Sequence, residues 1–312
     1  MGIHILGSAK ALPKHLVTND DLSKQVDTSD EWIKQRTGIE TRYIVEDETT
    51  SDLGSKAALN AIIAAGLEPE AIDCIITATF TPENFTPSCS CLIQEKLGLS
   101  DKPLMAFDVN AACTGFLYAL NVASALLETG RVKCACIIGT EVISNVLDWK
   151  DRSTCVLFGD GAGAVVIEAD ASKESYFFAA AKGDSSGALQ TKALPVHQSV
   201  TMEGNAVFRF ATKAMTDAVK QILKKANCSI DAIDWIIPHQ ANIRIIDYVI
   251  KKSKMNRNKV YTNLNHYGNT SAASIPIALA ELMESGKLQT GMKIILAGFG
   301  AGFTWASALI EI

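Results

Sequence analysis

A repeated segment constrains the fold of this chain more than any other feature. Residues 71–76 (AIDCII) and 232–237 (AIDWII) differ at a single position, and each follows an alanine-containing segment with helical periodicity. A second pair, 128–131 (ETGR) and 284–287 (ESGK), is followed each time by an apolar run. Chance similarity between two α/β units is the alternative interpretation, but one duplicated α/β unit accounts for both pairs.

Helical periodicity alternates with short apolar runs along the whole chain. The helix-like segments are 51–65, 88–97, 114–129, 206–226, 242–253 and 271–285. The strand-like runs are 3–9, 73–80, 104–109, 134–142, 162–168, 233–238, 293–298 and 304–312. This alternation predicts the α/β class with a largely buried sheet. The duplicated unit divides the chain into residues 1–170 and 171–312, joined near residues 170–200 by a polar loop.

Composition limits the classes of function. The chain has 312 residues, of which 48% are hydrophobic, and its formal net charge is −5. These values argue against global disorder and against a general binder of nucleic acid or anionic membranes. No apolar run reaches the roughly 18 residues of a membrane span. The eight cysteines lie mostly in apolar runs and no secretion signal is visible, which predicts reduced thiols and a cytoplasmic protein.

Two kinds of motif could indicate cofactors but lack the required context. Residues 89–91 (CSC) and 134–136 (CAC) are C-x-C pairs without a histidine cluster, so we expect no metal site. Residues 159–163 (GDGAG) precede an apolar strand, whereas a dinucleotide-binding loop follows a strand and opens a helix. We therefore expect neither a metal nor NAD or FAD.

Cys113 is the strongest candidate nucleophile. It lies between the strand-like run 104–109 and the helix-like segment 114–129, among small residues. The partial positive charge at a helix N-terminus stabilises a thiolate, so we expect the pKa of this thiol to be lowered. The alternative is a buried, inert cysteine that packs as a small hydrophobic residue.

Two further polar residues could act with Cys113. His239 follows the apolar run 233–238, and Asn269 precedes the helix-like segment 271–285. Alone, His239 could be structural and Asn269 could be a helix N-cap. All three residues end a strand or loop and open a helix, however, and ligands of open α/β sheets bind at the carboxyl ends of strands. A thiol with His and Asn hydrogen-bond donors suits acyl-thioester chemistry, in which the donors stabilise an enolate or oxyanion.

Six short motifs together resemble the β-ketoacyl-[acyl-carrier-protein] synthase III family of thiolase-like condensing enzymes. They are residues 29–39, 111–116, 158–163, 202–208, 238–242 and 267–272. The resemblance implies a thiolase-like fold with two pseudo-equivalent halves in a five-layered αβαβα sandwich, assembled as a homodimer. The N-terminal half, 1–170, would carry the nucleophilic Cys, and the C-terminal half, 171–312, would carry the catalytic His and Asn.

The resemblance also implies a reaction. Cys113 would take an acyl group from an acyl-CoA, and malonyl-[acyl-carrier protein] would lose CO2 to form an enolate stabilised by His239 and Asn269. Attack of the enolate on the acyl-enzyme would give 3-oxoacyl-[acyl-carrier protein] and start fatty-acid synthesis, without a metal or organic cofactor. The backbone N–H groups of Cys113 and Ala301 would form the acyl oxyanion hole. A condensing enzyme of secondary metabolism with another primer or acceptor, and a catalytically silent binding protein, are the alternatives.

By the same resemblance, further residues would bind the substrates. Trp32 and Arg152 would enclose the adenine of CoA. The residues contacting the nucleotide or lining the pantetheine tunnel would be Thr28, Arg36, Gly204, Asn205, Phe208, Asn242 and Arg244. Thr86 stands where this family commonly has an aromatic residue that reaches the partner subunit's acyl pocket. We therefore expect room for primers longer or bulkier than acetyl.

A basic segment predicts the surface for an acidic acyl carrier protein. Between residues 244 and 259 there are six Lys or Arg residues and one acid, Asp247. A solvated helix face is the ordinary interpretation of such a run, but this one follows His239 in a net-acidic protein, which favours docking. The expected docking residues are Arg209, Gln240, Ala241, Asn242, Ile243, Arg244, Lys251 and Lys252.

Overall fold

The computed structural model describes residues 2–192 and 199–312; residues 193–198, within the predicted junction, lie outside the described residues. The first half contains strands β1 (Gly2–Ala11), β2 (His15–Thr18), β3 (Thr41–Ile44), β4 (Cys74–Ala78), β5 (Met105–Val109), β6 (Cys134–Glu141) and β7 (Gly161–Asp170). Its helices are α1 (Asn19–Ser23), α2 (Asp30–Thr37), α3 (Thr50–Ala64), α4 (Cys89–Lys96) and α5 (Gly115–Glu128).

The second half repeats this alternation. Its strands are β8 (Ser175–Ala181), β9 (Leu189–Gln190), β10 (Thr201–Met202), β11 (Trp235–Pro238), β12 (Lys293–Gly300) and β13 (Thr304–Glu311). Its helices are α6 (Gly204–Lys225), α7 (Ile243–Ser253), α8 (Leu264–Tyr267) and α9 (Ser274–Glu284).

Two sheets and three helical layers form the five-layered αβαβα sandwich that was predicted. The sheets have strand orders β1-β7-β6-β4-β5 and β11-β12-β13-β8. Helices α5 and α9 pack between the sheets, α3 and α4 cover the outer face of the first sheet, and α6 and α7 cover that of the second. The first sheet takes its strands from residues 2–170 and the second from residues 175–311. The domain boundary at residue 170 stays a prediction.

The repeated AID segments perform the same structural task in both halves. The Asp73 carboxylate accepts a hydrogen bond from Lys133 N at 3.0 Å, and the Asp234 carboxylate accepts one from Lys293 N at 2.8 Å. Each aspartate thereby ties the strand that follows it to the first residues of its parallel neighbour, β4 to β6 and β11 to β12. The similarity of the segments therefore reflects a duplicated strand pair rather than chance.

The main predicted helices and strands agree with the structure to within a few residues at each end. The expectation of a loop throughout residues 170–200 was wrong, because β8 lies there, paired antiparallel with β13 at the edge of the second sheet. All but one of its side chains are half-buried, so its burial comes from the partner strand and α6 rather than from a local pattern. Within residues 2–192 and 199–312, no helix is both long and apolar enough to cross a bilayer.

Candidate active site

One cavity of about 1330 Å³ brings the three predicted catalytic residues together. Cys113, His239 and Asn269 all line it, although they come from different halves of the chain. Their exposed fractions are 8%, 1% and 7%. These three side chains are therefore buried, and the hydrogen bonds and charges around them act with little screening by water.

Cys113 lies in the 3-10 turn Ala112–Thr114, which connects β5 to α5. The end of β12 packs directly against this turn: a Cβ atom at Gly300 would lie 2.9 Å from Cys113 N. Thr114 and Thr304 fix the contact through a hydrogen bond of 2.7 Å between their hydroxyls. The second sheet therefore helps to position a nucleophile that belongs to the first half.

The expectation of a lowered pKa for Cys113 was wrong. Burial raises the pKa of this thiol to about 12, and the negative charge of Glu141 adds to the increase. Hydrogen bonding from Ser271 and from the backbone of Cys113 itself acts in the opposite direction without offsetting the burial. The sequence showed the helix N-terminus that favours a thiolate but not the desolvation that opposes it. Cys113 therefore enters the reaction as a thiol.

His239 is held as a neutral hydrogen-bond donor. Burial lowers its pKa to about 3. Its Nδ1 lies 2.7 Å from Ser274 Oγ, which also accepts a hydrogen bond from Gln240 N at 3.4 Å. In the part of the chain that the structure describes, Nδ1 is the one acceptor recorded for the buried Ser274 hydroxyl, so we assign the hydroxyl proton to that bond. Nε2 then carries the ring proton, and it has no partner among the described residues.

Asn269 is held just before the turn that leads into α9. Its Oδ1 accepts a hydrogen bond from Ser271 N at 2.9 Å, but the N-cap of the 3-10 turn Ser271–Ala273 is Thr270, so the N-cap alternative was wrong. Its own N–H donates to Leu157 O at 2.8 Å, which holds the backbone in place. Because the oxygen is occupied by Ser271 N, the amide NH2 is the group that this side chain offers to the cavity. Its catalytic role stays a prediction.

Ala301 begins the turn between β12 and β13 and lines the same cavity as Cys113. The next residue, Gly302, has a φ of 134°, a conformation that side chains rarely allow. Two backbone segments thus meet beside the nucleophile, as an oxyanion hole requires. The role of the Ala301 N–H stays a prediction.

Six of the residues predicted to bind CoA line this same cavity. They are Trp32, Arg36, Arg152, Gly204, Phe208 and Asn242. The Arg36 and Arg152 guanidinium carbons lie 4.5 and 5.0 Å from the centroid of the Trp32 ring. Arg152 therefore stacks on the indole directly, and an adenine can enter between them only when this exposed arginine moves away. A channel with apolar walls and a cationic mouth suits a pantetheine arm that carries phosphates.

Three residues of the predicted CoA set lie outside the cavity lining that the described residues form. Thr28 is half-buried, and Asn205 and Arg244 are exposed. Asn242 does line the cavity; its Oδ1 accepts from Arg244 N, and its Nδ2 donates one hydrogen to Arg36 O at 3.0 Å. It thereby joins α2 to α7 at the cavity wall, and the contacts of all four residues with a nucleotide stay predictions.

Two residues of the predicted docking set are buried. Gln240 is 1% exposed and bonds to Pro238 O, while Asn263 N donates to its side-chain oxygen. Ala241 is 9% exposed and lines the cavity. Both side chains are buried because the segment after β11 turns inward, which argues against direct contact of Gln240 with a docked protein, and the docking role of Ala241 stays a prediction. Half-buried Ile243 packs against Gly38, whereas exposed side chains are found at Arg209, Arg244, Lys251 and Lys252.

Thr86 lies in the exposed loop between β4 and α4 and is not part of its own chain's cavity lining as described. Its neighbour Phe85 is 76% exposed and does line the cavity. The role expected for Thr86 involves a partner subunit, so it stays a prediction.

Glu141, Ser271 and Ser274 are buried polar residues at the site that received no role from the sequence. Two features of the sequence could have pointed to them. Glu141 ends an apolar run, and Ser271 and Ser274 follow Asn269 closely.

In residues 2–192 and 199–312, no group of three or more His, Cys, Asp or Glu side chains is arranged to hold a metal ion. The expectation that no cofactor is needed stays a prediction.

Comparison with known proteins gives consistent matches along the chain. Two family models match: "3-Oxoacyl-[acyl-carrier-protein (ACP)] synthase III" over residues 107–187 and its C-terminal model over residues 223–312. Proteins named beta-ketoacyl-[acyl-carrier-protein] synthase III from Clostridium acetobutylicum and Clostridium perfringens are 46% and 49% identical, over 99% of this chain and 98% of each relative. The crystal structure of 3-oxoacyl-[acyl-carrier-protein] synthase III from Aquifex aeolicus matches with a TM-score of 0.96 and 42% identity, covering both chains completely.

Proposed function

The chain belongs to the β-ketoacyl-[acyl-carrier-protein] synthase III family, and from this premise we propose that it is the condensing acyltransferase that initiates fatty-acid synthesis. It joins an acyl-CoA primer to malonyl-[acyl-carrier protein] and releases CoA and CO2. The observation that carries this proposal is the meeting of Cys113, His239 and Asn269 in one cavity that Trp32 and Arg152 also line.

The first half-reaction transfers the primer to Cys113. The sulfur attacks the thioester carbon of the acyl-CoA, and the backbone N–H groups of Cys113 and Ala301 stabilise the oxyanion that forms. Donors placed in advance at such an oxygen typically contribute about 2.7–4 kcal/mol each to the lowering of the barrier. The close packing of Gly300 against Cys113 N supports this role, because it holds the nucleophile and the turn containing Ala301 together.

The second half-reaction uses the donors of the C-terminal half. Loss of CO2 from the malonyl group leaves an enolate, and its oxygen accepts hydrogen bonds from His239 Nε2–H and from the Asn269 amide. The low pKa of His239 supports this assignment, since a neutral imidazole remains a donor without losing its proton to the enolate. The enolate carbon attacks the acyl-enzyme, and the Cys113 sulfur leaves. No step requires a metal or organic cofactor.

Finer features belong to the same proposal. A homodimer is supported by β5, which lies at the edge of the first sheet with Met105 42% exposed, and by Val122 on α5, which is 40% exposed. Pairing of two such edges would cover both side chains and place the loop that carries Thr86 at the partner's acyl pocket.

An acidic carrier protein would dock on the exposed Lys251 and Lys252. A cytoplasmic location stays an expectation.

The names of the relatives do not favour the alternative of a condensing enzyme from secondary metabolism. A catalytically silent binding protein is opposed by the intact set of Cys113, His239 and Asn269. The identity of the primer, by contrast, depends on the acyl pocket that the homodimer would complete.

The proposed function is tested by offering the enzyme a panel of acyl-CoA primers, with and without malonyl-[acyl-carrier protein]. Mass spectrometry should find one acyl adduct on Cys113 and none in Cys113→Ser, and addition of the malonyl substrate should give 3-oxoacyl-[acyl-carrier protein]. Absence of an adduct with every primer would contradict the proposal and favour the binding protein. An adduct that condenses only with another acceptor would instead place the enzyme outside fatty-acid synthesis.

A further inference from the structure

Two buried polar atoms next to the catalytic residues lack a hydrogen-bond partner among the described residues and are not used by the mechanism above. They are Glu141 Oε1 and Ser271 Oγ. Glu141 is 0% exposed and Ser271 is 1% exposed. A polar group buried without a partner costs about 1–3 kcal/mol of stability, so two such atoms in one site call for an explanation other than packing.

Glu141 ends β6 and lies behind the wall of the cavity. One of its oxygens, Oε2, accepts hydrogen bonds from Thr81 Oγ1 at 2.6 Å, Thr79 Oγ1 at 3.1 Å and Phe80 N at 3.2 Å. Because these donors all bind the same oxygen, they hold the carboxyl group still and leave Oε1 open. Burial raises the pKa of Glu141 to about 7, against the lowering by these donors. The group can therefore gain or lose a proton near neutral pH.

The Ser271 hydroxyl is near both this carboxyl group and Cys113, because the turn Ser271–Ala273 packs against β6 and against the turn Ala112–Thr114. It lowers both the pKa of Cys113 and the pKa of Glu141. The hydroxyl makes no full hydrogen bond to either group in this structure. The backbone of Ser271 is fixed, because its φ is 48° and its N–H donates to Asn269 Oδ1. The movement that completes both hydrogen bonds is therefore a small adjustment of the Ser271 side chain.

We propose that the Glu141 carboxylate takes up the proton of the Cys113 thiol during acylation, with the Ser271 hydroxyl as the bridge between them. The inference rests on the proposed function, because it assigns the proton of its first half-reaction. As the Cys113 sulfur bonds to the acyl carbon, its S–H bond breaks and the proton passes to Ser271 Oγ, while the Ser271 proton passes to Glu141 Oε1. The bond between the acyl carbon and the CoA sulfur breaks, and CoA leaves as a thiolate that takes a proton from solvent.

Condensation returns the proton. When the enolate carbon attacks, the bond between the acyl carbon and the Cys113 sulfur breaks, and the sulfur leaves with the electron pair. The proton held on Glu141 passes back through Ser271 and restores the thiol. Each cycle therefore consumes one proton from solvent, the one taken up by CoA, and leaves Glu141 as a carboxylate. A neutral Glu141 during the acyl-enzyme state also removes a negative charge from beside the enolate.

The other titratable groups around the carboxyl group do not offer the same path. Asp108 of β5 is held by the Cys89 N–H at the start of α4, and burial raises the pKa of the Cys89 thiol far above neutrality. Glu83, in the loop before α4, accepts from a backbone N–H at 2.7 Å. Asp160, just before β7, is held by hydroxyl and backbone donors. Of these four carboxyl groups, Glu141 is the one whose negative charge raises the pKa of Cys113.

The test measures single-turnover acylation of Cys113 by an acyl-CoA, followed by CoA release and adduct mass from about pH 5.5 to 9. Wild-type acylation should rise with pH through about 7, because the accepting form is the carboxylate, which exists above that value.

Glu141→Gln should acylate about 100-fold more slowly and lack this rise. Ser271→Ala should show the same defect, and Glu141→Asp should keep the pH dependence at a lower rate. Thr140→Val, which removes a buried hydroxyl from the preceding position of β6, is the matched control and should keep the wild-type profile.

The outcomes separate this inference from the proposed function. A wild-type enzyme that forms no adduct with any primer counts against the proposed function. A wild-type enzyme that is acylated, with Glu141→Gln matching its rate and pH profile, overturns the proton assignment alone. A loss in Glu141→Gln that is equal at every pH and accompanied by a lower unfolding temperature also overturns it, because it makes Glu141 a structural residue.

Discussion

Two turns pack against each other beside the cavity, with similar backbones and different chemistry. The 3-10 turns Ala112–Thr114 and Ser271–Ala273 begin with residues whose φ is 47° and 48°, and they lead directly into α5 and α9. The first turn carries Cys113. The second carries the Ser271 hydroxyl, and its first N–H donates to Asn269 Oδ1. The two halves therefore have equivalent turns, and the turns differ in their side chains: the first carries the candidate nucleophile Cys113, and the second carries polar groups.

The same division continues one layer below the turns. The offset between the AID segments aligns Ala78, the last residue of β4, with His239. In the first half, a Cβ at Gly115 would lie 3.1 Å from Ala78 Cβ; in the second, Ser274 Oγ lies 2.7 Å from His239 Nδ1. One geometric contact is therefore apolar in the first half and a hydrogen bond in the second. Because the backbone accommodates either an apolar contact or a hydrogen bond at this place, the titratable His239 can stand in the second half alone.

The ends of β6 and β12 also correspond, since both strands have eight residues and pair in parallel with β4 and β11. β12 ends in Gly300, which packs against the backbone of Cys113. β6 ends in Glu141, whose pKa is affected by Ser271. Each half therefore supports the turn of the other half, and both halves are needed for one site.

The largest effect is expected from Cys113→Ala, which removes the chemical difference between the two turns. Condensation should fall at least about 1000-fold, while the release of CO2 from malonyl-[acyl-carrier protein] should persist because His239 and Asn269 are intact. Product formation and CO2 release are measured separately. Cys91→Ser, at an exposed cysteine of α4, is the control and should retain activity. Undiminished condensation in Cys113→Ala would remove the nucleophile from the proposed mechanism.

His239→Ala gives the second half the alanine that the first half has at Ala78. Decarboxylation and condensation should fall about 100-fold or more, the effect of losing one donor to a developing negative charge. Acylation of Cys113 should change little, since His239 acts in the second half-reaction. The check is the ratio of adduct formation to CO2 release, with the exposed His266→Ala as control. Equal loss of both half-reactions would contradict the division of labour between the two turns.

Ser274→Ala tests whether the hydroxyl next to His239 sets its tautomer. We expect about a 5-fold fall in kcat for decarboxylation, because loss of one hydrogen bond costs about 1 kcal/mol and the ring proton of His239 is then no longer held on Nε2. KM for the malonyl substrate and the rate of acylation should stay close to the wild-type values. This pattern is opposite to that expected for Ser271→Ala, three residues earlier. If Ser274→Ala slowed acylation as much as decarboxylation, its effect would be structural.

Charge reversal on α7 extends the comparison to the outer helices. α7 carries Lys251 and Lys252 in its last turn, whereas the corresponding α4 has one basic residue there, Lys96. Lys251→Glu with Lys252→Glu should raise KM for malonyl-[acyl-carrier protein] several-fold and spare loading from acyl-CoA, because only the carrier protein would meet this surface. The matched control is charge reversal at Lys287, before β12 and at the opposite end of the sheet from the site. Unchanged carrier kinetics would discard the docking surface.

The smallest effect is expected from Thr86→Phe, in a loop that has no long counterpart between β11 and α7. A larger side chain reaching the partner's acyl pocket should shift relative kcat/KM towards acetyl-CoA by a few-fold, because it leaves less space for the longer primers. Relative kcat/KM across primers of increasing length measures the shift. An unchanged profile would show that Thr86 does not shape the pocket, and a shift in a variant that stays monomeric would show that the partner is not needed.

Much of the frame was predictable because it depends on local periodicity and on a repeat. The duplicated unit, the alternation of helices and strands, and the positions of Cys113 and His239 after strands and of Asn269 before a helix all follow from short segments of sequence. The edge strand β8 was not predictable, since its side chains are half-buried by β13 and α6 rather than by a pattern of their own. The inward turn that buries Gln240 was missed for the same reason.

The sequence by itself determined the duplicated α/β layers and the candidate residues Cys113, His239 and Asn269, because strand and helix periodicity and the residue types at the ends of elements are local properties. Only the tertiary structure decided how those groups titrate and which neighbours they have. Burial raises the pKa of Cys113 and lowers that of His239, and the contacts of Ser271 with Glu141 and of Ser274 with His239 cross between distant segments. Desolvation and long-range contacts exist only after the two halves have packed together, so no local pattern encodes them.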